Sequence, residues 1–319
     1  MQNNKVCLTT FIYGVKYQSY IPFLVYSCHK SYPEYDIILF LYDKLDPIIK
    51  KQLDLVGKEN LVIKENIFTD CPKMSPLKAK CLRWVLWDDS FKLYDYLYVV
   101  DIDMLYIKEP LPLHVQHINH MEKLNLSYDN MARIVKRKPW HLAQSAQRIK
   151  HAGFAKILEY FLGDYCEYKA TGLMFINVSK YFEVINRDVR MSLTKSIYDN
   201  SWLKNVMYPN NEVFLYNILK TYDLNPQRMP LQSDSIKSLD FNNFHEEEFR
   251  PHHGIHLGIF RGEIVGSNSV LDTDTYHYYI DVFKSSYMKD EVFGRLIELS
   301  PDFIKRQFSL LCNYYQLVK

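Results

Sequence analysis

Through the first third of the chain, short apolar runs alternate with stretches of helical spacing. Val6 to Ile12 is a β-rich apolar run. Residues 17–32 follow a helical period that ends at Ser31-Tyr32-Pro33, where proline cannot continue it. Asp36-Ile-Ile-Leu-Phe-Leu-Tyr-Asp43 is almost continuously apolar, as expected of a strand covered on both faces. Asp46-Pro47 opens a helix, because Asp caps the first free amides and Pro suits the first turn. Leu61 to Ile63 reads as a strand. Ser75-Pro76 opens another helix, with Leu77, Cys81, Leu82, Val85 and Leu86 at helical spacing. Tyr96 to Asp101 is again a buried strand. Alternation of this kind predicts an α/β sandwich with a mainly parallel sheet.

The second half is less regular. Residues 127–151 are basic, with Arg133, Lys136, Arg137, Lys138, Arg148 and Lys150 against Asp129. Gly172 to Val178 reads as a strand and Asn211 to Leu219 as a helix. Residues 233–248 are polar and acidic, the pattern of a surface connection. Pro251 to Gly262 is rich in His and Gly and reads as a strand running into a loop. From about 275 Tyr and Phe recur among mixed charges, in two helical segments parted near Ser300-Pro301. This predicts a main domain over 1–270 and a helical appendage over 271–319.

Composition removes several classes. A formal charge of +2 over 319 residues is far from the basic surface of a general nucleic-acid binder. No apolar run reaches the roughly 18 residues of a membrane span, and the start has no signal-peptide pattern. None of the six cysteines forms a C-x-x-C pair, so neither a zinc site nor a disulfide framework is indicated, and a reducing cytoplasm is expected.

The sharpest chemical feature is Tyr98-Val99-Val100-Asp101-Ile102-Asp103-Met104-Leu105. Two carboxylates stand at the carboxyl end of an apolar strand, where open α/β sheets bind ligands. In an extended segment residues i and i+2 face one way, so both acids can converge on one point. Like charges held together call for a compensating cation, and hard divalent ions take oxygen ligands that they share with phosphates. The structural alternative is a pair of aspartates capping local backbone.

The stretch from Tyr96 to Pro110, an apolar strand followed by D-x-D, a short strand, an acidic turn and proline, resembles GT-A glycosyltransferases, most closely glycosyltransferase family 8. The resemblance runs over roughly residues 5–265 and is specific only at D-x-D. It implies a GT-A sandwich with a mainly parallel central sheet. It also implies transfer of a hexose-type sugar from a UDP-sugar, with retention, in which Asp101 and Asp103 bind Mn²⁺ or Mg²⁺ against the donor diphosphate. Arg83 matches the family arginine near the donor. Ala170-Thr171-Gly172 echoes the family's N-S-G, with Ala170 in place of Asn. Asn210-Asn211-Glu212 echoes D-Q-D and keeps only the last acid, making Asn211 and Glu212 catalytic candidates. His256-Leu-Gly258-Ile-Phe-Arg261 echoes the late H-F-x-G-x-x-K, one residue shorter and with Arg for Lys. It makes His256 a metal ligand, with His253 second, and Gly258 and Arg261 phosphate contacts.

On the first strand and the loop after it, Thr9, Thr10 and Tyr13 stand where the resemblance implies a uridine pocket, with Ile102 beside the diphosphate; Asp43 is a weaker candidate there. The basic stretch, with Trp140 and His141, suits an anionic, lipid-linked acceptor or the inner face of a membrane; a solvated helical face is the alternative. The aromatic tail fits self-docking or pairing of subunits. Two rivals share the acids: a haloacid-dehalogenase-type phosphatase, although Leu105 stands where that pattern has Thr or Val, and a carbohydrate-binding scaffold on a decayed fold. A nucleotidyltransferase would need a glycine-rich phosphate loop near the first strand, and none is present.

Overall fold

The computed structural model describes residues 4–137, 165–205, 210–231, 253–261 and 274–317. The chain opens with β1 (Val6–Ile12), a single turn α1 (Val15–Gln18) and α2 (Ile21–Ser31). The expected helix over 17–32 is thus broken near Ser19-Tyr20. Then come β2 (Asp36–Leu41), α3 (Pro47–Val56), β3 (Leu61–Lys64), α4 (Pro76–Leu82) and β4 (Tyr96–Val99). The two cap signals hold: Asp46 accepts from Ile48 N, and Ser75 from Lys78 N.

After β4 follow β5 (Met104–Leu105), α5 (Leu113–Leu124), β6 (Tyr128–Asp129), β7 (Ala132–Arg137) and β8 (Tyr165–Ala170). Next are β9 (Met174–Asn177), α6 (Val178–Val184), α7 (Arg187–Tyr198) and α8 (Asn211–Thr221). The last elements are β10 (Ile255–His256), α9 (Asp274–Val282), α10 (Glu291–Glu298) and α11 (Asp302–Leu317). Where residues 127–137 are described they form strands, so the helical-face alternative does not apply to them; β7 pairs with β8 in an antiparallel ribbon. Lys138, Trp140, His141, Arg148, Lys150 and the 233–248 connection lie outside the described residues.

The main sheet has the order β3-β2-β1-β4-β9-β6. β3, β2, β1 and β4 are parallel, and β9 runs antiparallel to β4 and β6. This is the expected α/β sandwich with a mainly parallel sheet. All seven residues of β1 are buried, which explains its lack of polar alternation. Successive side chains feed opposite layers. Val6, Leu8 and Ile12 of β1, with Ile37 and Leu39 of β2, enter a core under α2, α3, α5 and the C-terminal helices. Cys7, Phe11, Ile38 and Phe40 enter a second core under α4, α6, α7 and α8.

The C-terminal helices supply Tyr279, Ile280, Phe283, Tyr287, Phe293, Leu296, Ile304, Phe308 and Leu311 to the first of these cores. Polar ties reinforce the contact. Gln52 Nε2 donates to Leu296 O, Tyr20 Oη to Gln307 Oε1 and Tyr287 Oη to Tyr106 O. Among the described residues no helix is long and apolar enough to cross a membrane.

Candidate active site

At the carboxyl ends of β1 and β4 lies a cavity of about 280 Å³. Its wall includes Thr10, Tyr13 and Tyr17, Lys80 and Arg83, and Asp101, Ile102 and Asp103. Gly172, Asn211, Glu212, His256 and Gly258 complete it. Parallel strands direct their outgoing loops to this edge, which is why positions so far apart in the chain share one hollow.

The two aspartates converge for a different reason from the one the sequence suggests. β4 ends at Val99, and Asp101 and Asp103 sit in the turn between β4 and β5 rather than in an extended strand. Asp103 is buried, while the Asp101 side chain is about one-third exposed. The antiparallel pairing of β5 with β10 brings in the imidazole. Ile255 pairs with Leu105 and His256 with Met104, and Leu257 N donates to Asp103 O at 2.8 Å. His256 Nε2 therefore lies 3.1 Å from Asp103 Oδ1. One ligand atom from each of Asp101, Asp103 and His256 falls within 4.8 Å of the others.

Close approach of β10 to β5 needs Gly254. Its φ is +77°, and a Cβ there would stand 2.3 Å from Leu105 O. His253 has a separate role. It is buried, and its Nδ1 lies 3.0 Å from Glu109 Oε1, which also accepts from Tyr279 Oη at 2.5 Å. Gln116 Nε2 donates to Glu109 Oε2 at 2.7 Å. Burial pushes the Glu109 carboxyl up, but His253, Tyr279 and Gln116 outweigh it and leave the group at about 2. Beside this cluster His117 Nδ1 lies 2.7 Å from Asp129 Oδ2, and burial pulls His117 down to about 4 against the opposing pull of Asp129.

Both groups make folding sensitive to acid. Glu109 titrates lower folded than unfolded, so its contribution is complete above about 4.5 and is lost as pH falls toward 2. His117 is held neutral, so its contribution is complete above about 6.5 and is lost as pH falls through 4. The melting temperature is therefore expected to decline from pH 6.5 downward and more steeply below 4.5. A circular-dichroism melt series that stays flat between pH 7 and 4 would contradict the His117 assignment, and one that shows no further fall from 4.5 toward 2 would contradict that of Glu109.

Arg83 directs its guanidinium at the acids. It is buried, its Nη1 donates to Val100 O and pairs with Asp101 Oδ1, and its Nε has no partner among the described residues. Gly172 makes room for this pairing. A Cβ on it would stand 3.1 Å from Asp101 Oδ2, and 3.8 Å from both Arg83 Nη2 and Glu212 Oε1. The turn bearing Gly172 is pinned by Asn130, a fully buried residue that the sequence did not single out. Asn130 Oδ1 accepts from Thr171 N and Thr171 Oγ1, and its Nδ2 donates to Leu173 O.

The remaining sequence candidates are placed as follows. Asn211 and Glu212 open α8, capped by Asn210 through Glu212 N. Tyr13 meets Tyr42 edge-on at 5.2 Å and faces the cavity. Thr9 does not line it: the side chain is buried beneath, against Arg83, Trp84 and Val99. Asp43 Oδ2 accepts from Gly14 N at 3.1 Å, closing the loop after β1. Ala170 is fully buried and presents no polar group. Arg261 ends the turn Leu257–Arg261, with its side chain outside the described residues.

No family model and no curated protein sequence matches the chain. Solved structures do. Core-mannan synthase A from Aspergillus fumigatus, in its Mn/GDP form, is 11% identical over 66% of this chain and 69% of its own, with a TM-score of 0.42. The mannosyltransferase Ktr4p from S. cerevisiae is 12% identical over 66% of this chain and 64% of its own, TM-score 0.41. The galactosyltransferase LgtC, in complex with donor and acceptor sugar analogues, is 12% identical over 92% of this chain and 99% of its own, TM-score 0.41. At such identities and scores the likeness assigns no activity, and the functional reading rests on the site.

Proposed function

We propose that the chain is a metal-dependent glycosyltransferase of the GT-A type, moving a hexose-type sugar from a UDP-sugar to a saccharide or lipid-linked acceptor. One observation carries the reading. Two carboxylates and an imidazole converge at the carboxyl edge of a parallel sheet, in a cavity that also holds a buried arginine. Two oxygens and one nitrogen from these residues form a donor set that suits Mn²⁺, and less well Mg²⁺. A cation bound by Asp101, Asp103 and His256 would supply positive charge to a diphosphate leaving group.

The rest falls to the chain itself. Tyr13 and Thr10 offer an aromatic face and a hydroxyl to the base. Ile102 and Gly258 line the diphosphate path, and Arg83 adds positive charge beside it. As the C1–O bond breaks, its electron pair leaves on the phosphate oxygen and positive charge grows at C1. The acceptor hydroxyl oxygen bonds to C1 on the same face and passes its proton to the departing phosphate oxygen. That route retains configuration and needs no protein base. Asn211 and Glu212 flank the sugar carbon. The reading keeps the reaction in the reducing cytoplasm that the cysteine pattern suggests. Arg133 and the basic residues after it remain the acceptor side of the reading, with peripheral membrane contact and pairing of subunits through the C-terminal helices as its outer reach.

A ligand that binds only the native state raises the melting temperature. UDP is expected to do so only with Mn²⁺ present, and GDP to a smaller extent. Failure of both nucleotides, with and without Mn²⁺, would overturn the reading; release of inorganic phosphate from phosphomonoesters would favour a phosphatase.

A further inference from the structure

Among the described residues Glu212 is held by one oxygen, and the group that holds it comes from outside the motifs that mark the site. Lys169 Nζ donates to Glu212 Oε2 at 2.6 Å, with the two side chains about one-fifth exposed. The other oxygen, Oε1, faces the space above Gly172, where Asp101 Oδ2 and Arg83 Nη2 also point. The ribbon register sets Arg133 directly across from Lys169. Arg133 senses the same carboxylate: burial pulls its guanidinium down and the Glu212 charge pushes it back up. Two cations thus stand on the ribbon side of Glu212, and the acids of the cavity stand on the other. A carboxylate pressed toward another carboxylate without such backing is repelled from it and turns away.

Building on the glycosyltransferase reading, we infer that Lys169 is a positioning residue that holds the Glu212 carboxylate by Oε2 and leaves Oε1 aimed at the sugar carbon of the donor. A fixed negative charge there stabilises the positive charge that grows at C1 as the bond to the diphosphate breaks. An ion pair this near the surface contributes little to folding, so its value lies in aim rather than in stability.

The test compares wild type, Lys169→Met and Lys169→Arg. Nucleotide release is measured from UDP-galactose, UDP-glucose and GDP-mannose with Mn²⁺, alongside the Mn²⁺-dependent thermal shift by UDP. Lys169→Met is expected to lower kcat about tenfold or more, with donor KM within about twofold and the UDP shift retained. Lys169→Arg, which restores a cation, is expected to recover most of the rate. The inference is overturned by an unchanged kcat in Lys169→Met. It is equally overturned if the UDP shift is lost with the rate, the sign of a general structural role, or if Lys169→Arg does no better than Lys169→Met. A wild type that turns over none of the three donors would instead defeat the glycosyltransferase reading, and this inference with it.

Discussion

Asp103→Ala is expected to remove Mn²⁺ binding and to lower turnover by about a thousandfold or more, roughly 4 kcal/mol of transition-state stabilisation. The geometry gives the reason. Asp103 is the buried member of the acid pair, and its Oδ1 sits 3.1 Å from His256 Nε2, so the change removes one of the three groups that would hold the ion and a partner of another. Asp101 cannot replace it, because one of its oxygens is already taken by Arg83. Folding should hardly suffer. The tie from Leu257 N runs to the backbone oxygen of Asp103, which alanine keeps, and removing one of two neighbouring anions relieves repulsion. Calorimetric titration with Mn²⁺ and a melt of the ligand-free protein separate the two effects. Wild-type Mn²⁺ affinity in the variant would sink the metal assignment.

Gly254→Ala should do comparable damage by a different route. The residue carries a φ of +77°, which alanine adopts only at a cost, and its Cβ would overlap Leu105 O. Leu105 lies in β5, and its partner in the pairing is Ile255, next to Gly254. The strand pair must therefore shift or open, at an expected cost of about 2–4 kcal/mol. His256 is carried away with it, so Mn²⁺ affinity falls together with the melting temperature. His256→Ala is the control: it should lose the metal while leaving the melting temperature of the free protein almost unchanged. A Gly254→Ala protein as stable as wild type would show that the β5–β10 pairing tolerates a side chain there.

The parallel half of the fold was legible because its evidence is local. Asp36 to Leu41 reads as a fully buried strand, and Asp46 and Ser75 mark helix starts through their own side chains. The acid pair was legible as chemistry, although the reason for its convergence is a turn and not strand alternation. The groups that hold the site in place were hidden because they act across long stretches of chain. Glu109 meets His253 144 positions away and Tyr279 170 away, and Lys169 meets Glu212 43 away. No local pattern distinguishes such a glutamate or lysine from a solvated one. Asn130 is similar: an asparagine between two short strands reads as a turn residue, yet it is fully buried and fixes the bend that carries Gly172. The notional strand from Gly172 begins only at Met174, since Thr171 to Leu173 are occupied by that clamp.

The C-terminal helices share a core with β1, β2 and α2, and this bears on the order in which the protein can mature during synthesis. A ribosome delivers the acids and the first four strands early, but the apolar face of α2 stays uncovered until Phe283, Phe293 and Phe308 have emerged. His256 arrives shortly before them, and the strand that carries it is tied to Glu109 through His253, alongside Tyr279 of the first of those helices. The nascent chain therefore keeps a greasy surface on view until these helices emerge, and the cluster of Asp101, Asp103 and His256 is braced only as they dock.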